Sequence, residues 1–295
     1  MIAYLLGVFK RPPVMDLSNV ESSGIYEILL RVDCKTLIKR CRLVCQQWNN
    51  IINQRRFWME KCEYDEYPLP FKSLASLSLD YSKILILRPF NRNLINDEWS
   101  SDTFRMDKRW KFNSRSGRGF EVERPPIFFN GSFSPDFDDE LVKCCLATSY
   151  FWSPKTIVID LYAAGIDSRV LDELCPSIEV SELVSHRSDC ASVYEMSCWI
   201  SDRPSQMKDS IGEYYASEGD DDRLSDSCHF KRNLRFEQWQ PQNWNKVEGK
   251  FTKYPIGMRY VILETKGKDE QFWAGNYGTK MAHCSIVVTT KFNKC

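Results

Sequence analysis

This chain has little of what marks a catalyst, a metalloprotein or a membrane protein. Its histidines are only three, His186, His229 and His283, and they lie far apart. Its 12 cysteines contain no C-x-x-C pair, so the closely spaced ligands of a zinc site are missing. Nowhere does an apolar run approach the ~20 residues that a membrane span needs. The segment MIAYLLGVFKRPP carries an apolar run too short and too poorly flanked for a cleaved leader. Forty basic residues balance forty acidic ones, which removes the charge excess expected of a nucleic-acid binder or of a protein drawn to an anionic membrane. The motifs G-x-S-x-G, G-x-G-x-x-G, H-E-x-x-H and the P-loop are absent. The nearest approach, Ser116-Gly117-Arg118-Gly119, lacks the Lys-Ser/Thr that should follow. No metal, no cofactor and no catalysis by this chain itself are expected, and neither nucleic acid nor membrane insertion.

What is present begins in residues 25–62. Leu37, Cys41, Val44, Trp48 and Ile51 step by four, three, four and three, with Ile38, Cys45 and Ile52 in a row beside them. That spacing predicts one wide apolar stripe on a helix. Ile25, Ile28, Leu29 and Val32 form a shorter helical pattern, broken at Asp33-Cys34. Two or three short helices cannot enclose so much apolar surface, so the unit requires a partner.

The sequence EYDEYPLPF ends the helical part, and residues 73–88 read as a helical or mixed connector. From about residue 91 the pattern is of short β runs punctuated by Gly, Pro, Asn and Asp. Strands are predicted at 119–122, 127–129, 147–152, 156–161, 192–200, 251–254, 259–264, 271–273 and 284–290, with one short helix at 168–174. Tyr194, Met196, Cys198 and Ile200 alternate as a half-buried strand requires. Many short strands with turn signals between them predict an antiparallel sandwich. Trp152 and Trp199 lie within strand patterns and read as core residues. Residues 201–227, with their acidic run Asp220-Asp221-Asp222, read as a solvated loop and lack the spacing of an EF-hand. Cysteines such as Cys144, Cys145 and Cys284 sit inside apolar patterns, as small hydrophobes of a reducing compartment do.

Two resemblances now become specific. The run Leu-x-x-x-Cys-Arg-Leu-Val-Cys-x-x-Trp, residues 37–48, followed by Phe57-Trp58, resembles an F-box. The family's usual opening Leu-Pro is replaced by Glu21-Ser22-Ser23-Gly24, where Ser22 or Ser23 could cap the first helix. Further along come Thr148-Ser149-Tyr150-Phe151-Trp152, Arg187-Ser188-Asp189, Phe251-Thr252-x-Tyr254-Pro255-x-Gly257-x-Arg259 and Phe272-Trp273-Ala274-Gly275-x-Tyr277-Gly278. In this order they resemble the F-box-associated domain of the sugar-binding F-box proteins. The resemblance implies an α+β multidomain chain: a small helical F-box followed by an antiparallel jellyroll-like β-sandwich. The expected division is a tail at 1–18, the F-box at 19–65, a linker at 66–90 and the sandwich at 91–292.

Functionally, the resemblance implies a non-catalytic, cytoplasmic substrate receptor of a Skp–cullin–F-box ubiquitin ligase. Leu29, Leu30, Leu37, Leu43, Val44 and Trp48 would dock the Skp-type adaptor, which joins the cullin-RING ligase. The sandwich would take misfolded N-glycosylated proteins of endoplasmic-reticulum-associated degradation by their inner chitobiose. Matched by position, Trp273 would stack on the sugar, Phe272 stands for a family tyrosine, Tyr150 for a family phenylalanine, and Asp189 would accept a hydrogen bond. The family's lysine is Ala274 here, which removes three donors. Two other readings stay open: a ligase receptor for non-glycosylated proteins, and a lectin-like scaffold whose F-box no longer functions.

Overall fold

The computed structural model describes residues 22–67, 69, 79–100, 102–113, 119–204 and 227–292. The chain divides into two compact units at Tyr67–Pro68. The first holds α1 (Ser22–Leu30), α2 (Cys34–Lys39), a 3-10 turn (Cys41–Leu43), α3 (Gln46–Ile52) and α4 (Arg55–Tyr64). Asp33 caps α2, its carboxylate accepting the Thr36 N–H at 2.9 Å. The single helix expected through residues 37–51 is broken. After the 3-10 turn Cys45 is fully extended, with φ −161° and ψ 168°, and precedes α3 as its N-cap. A 3-10 turn advances roughly 120° per residue where an α-helix advances about 100°, so the apolar row is re-aimed. Leu37, Cys41, Ile51 and Ile52 face inward, whereas Leu43 and Val44 face solvent. Trp58 donates its indole N–H to the Ile52 carbonyl at 2.6 Å, and Tyr26 reaches Glu60 at 2.8 Å. These bonds tie α4 to α3 and to α1.

The first helix among the described residues of the second unit is α5 (Tyr81–Leu87), capped by the Asp80 carboxylate on the Lys83 N–H at 3.0 Å. This helix lies in the stretch read as linker, yet it belongs to the second unit. Leu87 packs on Gly165, which has φ 109° and where a Cβ would stand 2.9 Å from the Leu87 Cβ. Glycine answers both demands.

Among the described residues the strands are β1 (Glu98–Trp99), β2 (Phe104–Arg105), β3 (Lys111–Phe112), β4 (Phe120–Glu123), β5 (Cys145–Thr148) and β6 (Ser153–Asp160). They continue as β7 (Pro176–Ser185), β8 (Ser192–Ser201), β9 (His229–Phe236), β10 (Asn245–Phe251), β11 (Tyr260–Asp269) and β12 (Lys280–Phe292). Two five-stranded antiparallel sheets result, ordered β10-β7-β12-β5-β4 and β3-β6-β11-β8-β9, with β1 and β2 paired apart. They pack as a jellyroll-like sandwich. Between them lie Ile178, Val180 and Val184 of β7, Tyr194, Met196 and Cys198 of β8, and Ile286 and Val288 of β12.

The interior also holds charge. Lys155 Nζ lies 2.6 Å from Glu182, both side chains wholly buried, and the Tyr194 hydroxyl donates to the other Glu182 oxygen at 2.7 Å. Lys155 also sits 3.9 Å over the Trp110 ring. Burial alone would favour neutral lysine, but the Glu182 carboxylate holds its pKa above the ordinary value.

Several sequence expectations are corrected. Residues 127–129 and 271–273 are loops, and the run expected at 147–152 ends as a strand at Thr148. Strands β7 and β9 were not foreseen, and β10 precedes the run expected at 251–254. The helix expected at 168–174 is present, with Val170–Leu174 wound as a π-helix. Trp152 and Trp199 are not core residues but half-buried on an outer face, because Cys198 and Ile200 take the inward positions around Trp199. The acidic run 220–222 lies outside the described residues.

Candidate functional site

Four connections leave the same end of the sandwich, each crossing between sheets: 149–152, 186–191, 237–244 and 270–279. Hydrogen bonds knit them together. The Asp269 N–H donates to the Ser149 carbonyl at 3.0 Å, and the Glu270 N–H to the Ala191 carbonyl at 2.9 Å. The Cys190 thiol donates to Gln271 at 3.0 Å, and burial pushes that thiol up to about 12. Gly278 passes so close to 148–149 that a Cβ would stand 2.5 Å from the Thr148 hydroxyl. Gln242 binds the loop at 127–134 to the Ser188 N–H, accepting at 2.9 Å from Phe129 and at 3.0 Å from Ser188.

This scaffold presents aromatic side chains outward. Asp269 accepts the Phe272 N–H at 2.7 Å and caps a tight turn in which Phe272 adopts φ 59°. A left-handed phenylalanine costs roughly 1–3 kcal/mol, which the surrounding bonds must cover. Its ring is 63% exposed. It lies 5.8 Å from Tyr150 and 5.4 Å from Phe151. Trp273, 38% exposed, meets Tyr277 edge-on at 5.7 Å. The Arg187 guanidinium stands 4.7 Å over the Tyr277 ring and grips Asp189 in a two-pronged ion pair at 2.7 and 3.0 Å.

The structure thus brings Tyr150 into ring contact with Phe272, and links Trp273 to Asp189 through Tyr277 and Arg187. Exposed Ala274 follows Trp273 on the same loop. Asp189 is largely buried and already engaged by Arg187. Sequence reasoning gave no role to Phe151, Tyr277 or Arg187, although all stand inside the quoted motifs. It also passed over Trp239, which has φ 68°, is 63% exposed and meets Phe129 at 6.0 Å. Nearby, buried His186 stacks on Phe236 at 4.3 Å, and burial lowers its pKa to about 4. Among the described residues no group of His, Cys, Asp or Glu could hold a metal ion. Among the described residues no helix is long and apolar enough to cross a membrane.

On the helical unit the six expected docking residues divide. Leu29, Leu30 and Leu37 are buried in its own core and present almost no surface, a correction to their reading as anchors. Leu43 at 82% and Val44 at 56% exposure are outward, joined by Ile28, and Trp48 is half-buried. The cause is the broken helix, which separates the two halves of the apolar row.

Comparison with known proteins follows this division. The F-box domain model matches residues 25–60, and the F-box associated region matches 85–288. Human F-box only protein 6 is 27% identical over 279 residues, covering 94% of this chain and 86% of that protein. Human F-box only protein 44 is 25% identical over 93% of this chain and 97% of its own length. Bovine F-box only protein 2 is 25% identical over 90% of this chain and 81% of its own. With the associated region matched across most of its length and an F-box ahead of it, this chain belongs to the F-box proteins that carry an F-box-associated domain.

Proposed function

We propose that the chain is a substrate-recognition subunit of a Skp–cullin–F-box ubiquitin ligase and performs no chemistry itself. Leu43, Val44 and Ile28, with part of Trp48, insert into a Skp-type adaptor. Leu29, Leu30 and Leu37 support that face from beneath. The sandwich loops hold the substrate. Tethering a substrate lysine near the ubiquitin-charged partner raises its effective concentration. The setting is the cytoplasm, with N-glycosylated proteins of endoplasmic-reticulum-associated degradation as substrates.

The observation that carries the glycan reading is the aromatic cluster of Tyr150, Phe151 and exposed Phe272, with Trp273 next in the chain and also exposed. A pyranose offers C–H faces to such rings, and recognition sites combine aromatic walls with a few fixed polar groups. The Tyr150 hydroxyl makes no hydrogen bond among the described residues and is free to serve. Calorimetric titration of chitobiose into the full chain tests this. Saturable binding that is lost in Trp273→Ala supports it, and no heat at millimolar sugar sinks it. A second reading, recognition of protein surfaces, is favoured by the engagement of Asp189 with Arg187 and by Ala274, which together leave few donors at the loop tips. Substrate turnover that persists in Trp273→Ala is its signature.

A further inference from the structure

The sheet that ends in these loops carries a second feature on its outer face. Trp152, Val193, Asn233, Arg235, Lys268 and Glu270 line an open groove of about 370 Å³. Register makes it one patch, since Lys268 pairs with Val193, Val193 with Arg235, and Glu195 with Asn233. It is also continuous with the aromatic cluster. Trp152 ends the loop that bears Tyr150, and Glu270 begins the loop that bears Phe272.

The chemistry of the groove narrows its ligand. Glu195 is held between Lys231 at 3.2 Å and Lys266 at 2.9 Å, and Arg235 between Glu237 at 2.8 Å and Glu270 at 3.0 Å. Charges so matched give no field that would select a polyanion. Trp152, Val193, Tyr194 and Leu234 give the groove apolar lining, but charged and amide side chains interrupt it, which suits a wholly apolar peptide poorly. Two groups still have hydrogen-bonding capacity to offer. Lys268 makes no ion pair among the described residues, its Nζ 5.3 Å from the Trp152 ring centroid, and the exposed Asn233 amide makes no hydrogen bond among them. An aromatic ring with the Lys268 ammonium above it and an unbonded amide nearby matches a neutral saccharide, whose hydroxyls need donors and acceptors in about equal number. The loop tips are short of these donors, because Ala274 has none and Arg187 is tied to Asp189.

We propose that this groove is a second saccharide subsite, holding outer sugars of an oligosaccharide whose inner residues rest on the loop cluster; the inference builds on the glycan reading above. Polar recognition is thereby moved from the loop tips to the sheet. The test titrates the full chain with chitobiose and, separately, with a high-mannose oligosaccharide built on it. Lys268→Met should weaken the oligosaccharide about tenfold, the worth of one charge-assisted hydrogen bond, and Asn233→Ala about fivefold, that of a neutral one; neither residue is in the core, and each change should leave chitobiose within about twofold. Unchanged oligosaccharide affinity in both variants, with Trp273→Ala still abolishing it, overturns the groove and spares the loop site. Binding lost in Lys268→Met but retained in Trp273→Ala supports the groove and removes the loop site. If the native chain binds neither sugar, both fall.

Discussion

The helical unit and the sandwich leave apolar residues exposed for different reasons. The helical unit buries Leu29, Leu37, Ile52, Phe57 and Cys62 completely, yet leaves Leu43 and Val44 in solvent. A few short helices have too little volume behind each apolar residue to enclose them all. The sandwich has interior to spare and encloses a whole ion pair, Lys155 with Glu182. Among the described residues its most exposed aromatics, Trp239 and Phe272, are both held out by left-handed backbone within bonded loops. Exposed apolar surface therefore has two origins here. In the helical unit it is what a small core leaves over, and in the sandwich it is what the loops actively display.

Removing charge from the sandwich interior should produce the largest effect. Lys155→Met leaves Glu182 buried with Tyr194 alone and should destabilise the second unit by roughly 3–5 kcal/mol. The double change Lys155→Met with Glu182→Leu should recover most of that loss. Denaturant unfolding followed by tryptophan fluorescence reads both, and a single variant as stable as the native chain would deny the pair its structural role.

The helical unit offers the matching contrast. Leu37→Ala empties a core position and should cost about 2–5 kcal/mol. His186 supplies an effect of similar size through pH. Its folded pKa of about 4 lies below the ordinary 6.5, so the fold prefers the neutral ring. The stabilisation is complete above about pH 6.5 and is lost as pH falls toward 4, roughly 3 kcal/mol in all. Urea midpoints across that window should flatten in His186→Leu; an equally steep acid loss there would shift the cause to other groups. The smallest effect on stability belongs to Leu43→Asp, within about 0.5 kcal/mol. The same variant should nevertheless lose capture of a Skp-type adaptor in co-purification. Retained capture would move the docking face elsewhere.

How legible each part was depended on how far local pattern agreed with packing. Strand β8 could be read directly, because Tyr194, Met196, Cys198 and Ile200 alternate without interruption. Strand β7 has the same alternation but places Glu182 at an inward position, and a charge there conceals the pattern. Strand β9 lies at a sheet edge, and its exposed Lys231, Arg232 and Arg235 leave little periodicity to detect. The site residues Tyr150, Phe272 and Trp273 were found by their motifs. The bond from the Phe272 N–H to Asp269, which goes with an outward turn where a strand was expected at 271–273, joins residues whose roles depend on the crossing between sheets around them.

The sequence by itself determined a helical unit with surplus apolar surface, a β-rich second part, and the motifs of an F-box with its associated domain. Those features reside in spacing and residue type, which need no knowledge of neighbours. Tertiary structure alone decided which leucines are core and which are exposed, and that Trp152 lines a groove. Each of these depends on where a turn breaks or which strand lies alongside. Local sequence does not encode that, because the competing arrangements differ only in contacts between residues far apart in the chain.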